Sequence, residues 1–312
     1  MEERIAAIIG AGLIGRAWAM VFARAGWRVQ LYDNAPTQFD MARQHILTSL
    51  EEQQAAGLVD DARRAAGRVF MFEQIEEAMA GATWVQENLP ERVELKREVF
   101  GLLDQLAPAD TILASSTSAI PASQFTDGLA GQGRCLVAHP VNPPHLVPVV
   151  ELCGSPWTTY TTIERARAVM SEVGQEPIVV QRELDGFILN RLQGALLSEA
   201  LRLVGEGYVS PEDLDKTIAH GLGLRWSFMG PFATIELNAP GGVADYCARY
   251  GGFYRKLAAE PPSAEVWDSD QVARVVAALG EPLTPAERDE KMDLRDRRLL
   301  ALARHKREQS DT

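Results

Sequence analysis

Short apolar runs alternate with amphipathic stretches over the first half of the chain. Residues 5–9, 29–32, 83–86, 111–114, 135–138, 147–152 and 177–180 read as strands. Helical periodicity fills the intervals 13–25, 38–55, 94–106, 121–130 and 161–173. Strand, helix and strand in this rhythm predict a parallel sheet covered by helices on both faces. The stretch 38–57 is longer than a simple crossover needs, so a helical excursion is expected after the second strand. Beyond about Glu183 the strand signals stop. A long, mostly apolar helix is expected over 185–206, with too few polar residues for a surface helix, and hence core or subunit interface. Ser210 and Pro211 open the next helix, and Gly221 and Gly223 are expected to end it. Further helices are expected over 242–259, 269–279 and 285–306.

The fold class expected is therefore α/β: a doubly wound, Rossmann-type parallel sheet over residues 1–183, followed by an all-helical domain over 184–312. The 312-residue length suits two domains, and 46% hydrophobic with 24% charged residues is ordinary globular material. Lys and Arg total 31 against 43 Asp and Glu, a net charge of −12 with no basic stripe, which argues against a nucleic-acid partner. No apolar run approaches the length of a membrane span. The three cysteines, Cys135, Cys153 and Cys247, are odd in number and widely spaced, so they read as free thiols, and no metal site is expected. The start Met1-Glu2-Glu3-Arg4 runs into the first strand without a charged-then-apolar leader. A cytoplasmic protein is the expectation.

The strongest chemical signal is Gly10-Ala11-Gly12-Leu13-Ile14-Gly15, a G-x-G-x-x-G placed between a strand and a helix. Gly10 permits the tight turn, Gly12 lets a pyrophosphate approach the backbone, and Gly15 allows close helix–strand packing. Leu13 and Ile14 open the helix, whose free N–H groups and dipole favour an anion. Asp33 ends the next strand, 18 residues past Gly15, where it would accept from ribose hydroxyls. Asn34-Ala35-Pro36 then offers no cation for a 2′-phosphate, which favours NAD over NADP.

A second constellation follows the fifth strand. His139 lies among prolines in His139-Pro140-Val141-Asn142-Pro143-Pro144, and Glu151 follows 12 residues later within an apolar strand. An unpaired carboxylate there would be costly, and a His–Glu pair satisfies both groups. Ser115-Ser116-Thr117-Ser118 ends another strand, and Asn190 interrupts an apolar run. Spacing alone leaves each open to a structural role as well: a fixed strand-end histidine, a turn, a helical amide bonded to backbone.

At these residues the chain resembles the L-3-hydroxyacyl-CoA dehydrogenase superfamily, and more closely its lambda-crystallin branch, the L-gulonate 3-dehydrogenases. The similarity rests on Gly10–Gly15, Ser115–Ser118, the A-H-P-V-N-P-P run from Ala138, Glu151, the F-x-L-N-R-L-Q run from Phe187 and G-L-G-L-R-W-S-F-M-G-P from Gly221. It extends from about Ile5 to at least Tyr246. The resemblance implies His139 as catalytic base, Glu151 as its orienting partner, and Ser118 and Asn190 as ligands of the reacting oxygen. It also implies that Glu91 and Lys96 flank the nicotinamide side of the cofactor; without it they would read as an exposed helix start. The substrate implied is a small 3-hydroxy acid such as L-gulonate, with Arg225 as candidate for its carboxylate. An L-3-hydroxyacyl-CoA and L-carnitine are the alternatives, and a non-catalytic NAD-binding, crystallin-like role is the reading from another class. A homodimer built through the helical domains completes the expectation.

Overall fold

The computed structural model describes residues 4–309. Its first half is built around one eight-stranded sheet. The strands are β1 (Ile5–Ile9), β2 (Arg28–Tyr32), β3 (Val69–Phe72), β4 (Trp84–Glu87), β5 (Ile112–Ser115), β6 (Cys135–Pro140), β7 (Val149–Gly154) and β8 (Glu176–Val180), in spatial order 3-2-1-4-5-6-7-8. Helices α1 (Leu13–Arg24), α2 (Phe39–Ala55), α3 (Ala62–Ala66), α4 (Ile75–Met79), α5 (Val93–Leu106), α6 (Ser123–Thr126) and α7 (Tyr160–Glu172) connect them. β1 has β2 on one side and β4 on the other. The order of winding therefore reverses at β1, and a crevice opens beyond the carboxyl ends of β1 and β4.

Side chains alternate across the central strands. Ala6 and Ile8 join Trp18, Phe22 and Leu136 in one buried cluster, while Ala7 and Ile9 join Phe100, Phe125 and Val137 in the other. Both faces are covered, so the central strands are apolar almost throughout.

Several elements differ from the expectation. β6 and β7 pair antiparallel, because the eight residues 141–148 between them are too few for a crossover to a parallel neighbour. β3, an edge strand with Phe70 exposed, gave too weak a signal to be expected, and the excursion after β2 contains it together with α2 and α3. The helix expected over 121–130 is the single turn of α6.

The chain divides into two compact units, residues 1–190 with 289–312, and residues 191–288. The helical pattern places 289–312 with the helical domain, whereas residues 289–309 cluster with the sheet-bearing unit, where Leu300 is buried and Arg307 donates to Gly57 O at 2.9 Å. The second unit is entirely helical. Its helices are α8 (Leu189–Gly205), which begins in the first unit, α9 (Pro211–Thr217), α10 (Gly223–Trp226), α11 (Pro231–Leu237), α12 (Gly242–Ala258), α13 (Ser269–Leu279) and the start of α14 (Pro285–Glu308). α8 starts later than expected, because Gly186 and Phe187 both take positive φ, +75° and +47°, and break the helical path. Gly221 and Gly223 do not end α9: a π turn over Ile218–Leu222 carries the chain into α10. Among the described residues no helix is long and apolar enough to cross a membrane.

Candidate active site

The glycine turn shows a division of labour. Gly10 has φ +98°, which a side chain would strain, and a Cβ there would lie 3.2 Å from Asn88 O. A Cβ on Gly15 would sit 1.8 Å from Gly10 O, so close approach of α1 to the turn requires its absence. Gly12, the N-cap of α1, is different: a Cβ there would meet no protein atom within 4 Å. The space beside Gly12 and the first turn of α1 at Leu13 and Ile14 is open, as a pyrophosphate needs. Asp33 braces the turn, accepting from Ala11 N at 2.7 Å through Oδ2 and from Ala35 N at 2.9 Å through Oδ1. A carboxylate has about four acceptor positions, so two remain for ribose hydroxyls. Gly15→Ala is expected to weaken NADH binding by about 1–3 kcal/mol through this overpacking. Fluorescence titration checks it, and an unchanged Kd contradicts it.

His139 and Glu151 are direct partners in the antiparallel β6–β7 pair, which turns their separation along the chain into a cross-strand contact. His139 Nδ1 lies 2.7 Å from Glu151 Oε2, and both residues are buried. The other oxygen, Oε1, accepts from Ile188 N at 2.8 Å and Leu189 N at 2.9 Å, at the start of α8. Phe187 packs against the imidazole with ring centroids 5.6 Å apart. Burial works to raise the Glu151 carboxyl, but the hydrogen bonds from His139, Leu189 N and Ile188 N outweigh it and hold the group below the ordinary range. A depressed folded value contributes stability that is present above the unfolded value of about 4.3 and is lost as pH falls through the folded one. The stability of the wild type relative to Glu151→Gln is accordingly expected to be constant above about pH 5 and to shrink below about pH 4. Denaturant titration over that range checks it, and a pH-independent difference contradicts it.

The same carboxylate leads to the remaining candidates. Asn190 follows the two amides that Glu151 holds, and its Nδ2 donates to Ser118 O at 2.8 Å. Ser118 N and Ala119 N each donate to Glu91 Oε1 at 3.0 Å, and Thr117 Oγ1 donates to the same oxygen. His139, Glu151, Asn190, Ser118 and Glu91 thus belong to one hydrogen-bonded chain, closed over backbone at residues 188–190.

Lys96 is 1% exposed rather than an exposed helix start. Its Nζ lies 3.0 and 2.9 Å from the two Glu87 oxygens, 3.4 Å from Ser115 Oγ and 3.9 Å from Glu91 Oε2. Glu87 also accepts from Leu89 N at 2.6 Å and from Ser115 Oγ at 2.5 Å. Sequence patterning missed Glu87, although Gln86-Glu87-Asn88 at the end of a central strand was its signal. Behind them Ser116 Oγ donates to Asn88 Oδ1 and accepts from Trp18 Nε1 and Gln86 Nε2, fixing the ends of β4 and β5. Arg225 is exposed on α10, in the second unit.

Residues 5–184 match the 3-hydroxyacyl-CoA dehydrogenase NAD binding domain, and residues 186–274 match the 3-hydroxyacyl-CoA dehydrogenase C-terminal domain. The chain is 40% identical over 306 residues to the lambda-crystallin of Oryctolagus cuniculus, covering 96% of each. It is 38% identical to the L-carnitine dehydrogenase of Streptomyces griseus, covering 80% of this chain and 74% of the relative. Among solved structures, 5-formyl-3-hydroxy-2-methylpyridine 4-carboxylic acid 5-dehydrogenase, an NAD+-dependent dismutase, superposes with a TM-score of 0.84 at 30% identity, covering 97% of this chain and 98% of that one. The cofactor is NAD, bound by the first unit, and the chain belongs to the 3-hydroxyacyl-CoA dehydrogenase family, NAD-dependent oxidoreductases acting on CH–OH groups.

Proposed function

We propose that the protein oxidises the 3-hydroxyl of a small free 3-hydroxy acid, L-gulonate to 3-dehydro-L-gulonate, with His139 as base. The observation that carries this reading is the His139 Nδ1–Glu151 contact at 2.7 Å, which commits one imidazole nitrogen and leaves Nε2 for proton transfer. NAD, when bound, accepts the hydride from the carbinol carbon. His139 Nε2 takes the hydroxyl proton, and Glu151 stabilises the imidazolium that forms. Asn190 spends one N–H on Ser118 O, and its second N–H, with the Ser118 hydroxyl, is assigned to the developing carbonyl oxygen. Glu91 and Lys96 take the cofactor side, Glu91 by ordering residues 117–119 and Lys96 by holding Glu87.

The surface of the excursion is mixed: one groove is lined by Glu51, Asp60 and Asp61 beside Arg63, and another by Arg43 and Arg63 with no acid, so the choice between a free acid and a CoA thioester rests on a direct comparison of substrates. The second reading, L-carnitine, is supported by the relatives that carry that name. The test is NADH formation from L-gulonate, L-carnitine, 3-hydroxybutyrate and 3-hydroxybutyryl-CoA. A preference for L-gulonate of about tenfold or more in kcat/KM, worth about 1.4 kcal/mol, supports the proposal. Preference for the thioester or for carnitine overturns the substrate assignment.

A homodimer formed through the second unit is part of the proposal. α8, α12 and α13 have no buried residue among those described, although Leu192 is 66% exposed and Phe253, Leu257 and Leu279 are exposed as well. Apolar faces of this extent on a monomer mark an interface. Sedimentation at micromolar concentration is expected to give twice the chain mass, and Phe253→Asp to shift it towards the monomer. A monomeric wild type contradicts the assignment.

A further inference from the structure

The sheet-bearing unit holds a cavity of about 460 Å³, walled by the β6–β7 loop at His145–Pro148 and by the last turns of α14. None of its lining residues is His139, Glu151, Ser118 or Asn190. In a chain of net charge −12, the charged residues lining this cavity are all cations, Arg24, Lys306 and Arg307, with no Asp or Glu among the described lining residues. The remaining walls are mostly apolar, with Leu58, Leu146, Leu299 and Leu302 prominent.

Two groups, the half-buried Arg24 and the buried His145, are held there at a cost. Arg24 Nη1 donates to His145 O at 2.7 Å and Gln53 Oε1 at 3.0 Å, and burial pushes the guanidinium down to about 10, still charged at neutral pH. His145 is 8% exposed, with Nε2 3.3 Å from Ser49 Oγ, and its Nδ1 has no hydrogen-bond partner. Burial, then Arg24, bring His145 down to about 4, while Asp296 opposes them and His45 and Arg295 add to them. The imidazole is therefore neutral, and in the tautomer that carries its hydrogen on Nδ1, with Ser49 donating to Nε2, that N–H lacks an acceptor. Such an unsatisfied group costs about 1–3 kcal/mol, which an acceptor on a ligand would relieve.

We propose that this cavity is a second ligand site, for a small organic carboxylate whose head is held by Arg24, His145 and Lys306 and whose apolar body lies against Leu146, Leu299 and Leu302. The occupant bridges the loop that joins the strands of His139 and Glu151 to α14. The test is calorimetric titration of the full-length chain, saturated with NAD to fill the glycine-turn anion site, with hexanoate, hexanamide and inorganic phosphate. Hexanoate is expected to bind once per chain, with hexanamide and phosphate each weaker by about tenfold or more. Leu302→Trp, which fills the cavity from a partly exposed position, and Lys306→Gln are each expected to weaken hexanoate by about tenfold, with kcat and KM for the oxidised substrate unchanged. Absence of hexanoate binding, equal binding of hexanamide or phosphate, or hexanoate binding indifferent to both substitutions overturns the proposal.

Discussion

His139→Ala is expected to lower NAD-dependent oxidation by about 10²–10⁴-fold while leaving NADH affinity within about twofold of wild type. Both halves of the expectation come from position. His139 lies at the carboxyl end of β6, with its Nδ1 committed to Glu151 Oε2, and the glycine turn lies beyond β1 with its own brace at Asp33. Removing the imidazole deletes the group assigned to the hydroxyl proton. It leaves Glu151 Oε1 still bonded to Ile188 N and Leu189 N, so α8 keeps its anchor. Steady-state rates beside a fluorescence titration of NADH separate the effects. Near-normal turnover contradicts the role of His139, and joint loss of turnover and NADH binding contradicts the separation of the two sites.

Lys96→Met is expected to destabilise the fold by about 3–5 kcal/mol. Methionine keeps the length of the side chain and removes its charge, stranding Glu87, which is fully buried. Leu89 N and Ser115 Oγ continue to donate to Glu87, so the carboxylate is not wholly bare, yet no cation within bonding distance remains. Glu87→Gln in the same chain removes the stranded charge and is expected to recover at least half of the loss. Denaturant unfolding of wild type, single and double variants measures the coupling. A Lys96→Met chain within about 0.5 kcal/mol of wild type contradicts the view that this pair holds β4, β5 and the start of α5 together.

What the sequence revealed, and what it concealed, follow from the range of the interactions. The glycine turn was legible because its chemistry is local: three glycines, a strand before them, a helix after them and Asp33 at the end of the next strand. His139 and Glu151 were legible as two isolated polar residues in apolar runs. Their pairing followed from the cost of an unpaired carboxylate, but the register that sets them directly opposite did not, since it depends on β6 and β7 being antiparallel, and the short 141–148 connection was the available sign. Lys96 could not be separated from a solvated helix start, because its burial comes from Glu87, nine residues away on another element. β3 was hidden by its place at the sheet edge. The grouping of residues 289–309 with the first unit rests on long-range contacts such as Arg307 to Gly57, which no local pattern encodes. The start of α8 escaped too, because Phe187 takes a backbone conformation that few bulky residues adopt.

The central claim is that a hydride leaves C3 of a free 3-hydroxy acid while His139 receives the hydroxyl proton. The most direct measurement is mass spectrometry of the reduced cofactor formed from L-gulonate deuterated at C3. The expected result is one deuterium in each reduced nicotinamide, formed by the wild type and by His139→Ala at a rate lower by about 10²–10⁴-fold. Reduced cofactor free of deuterium, or deuterium transfer undiminished in His139→Ala, contradicts the account.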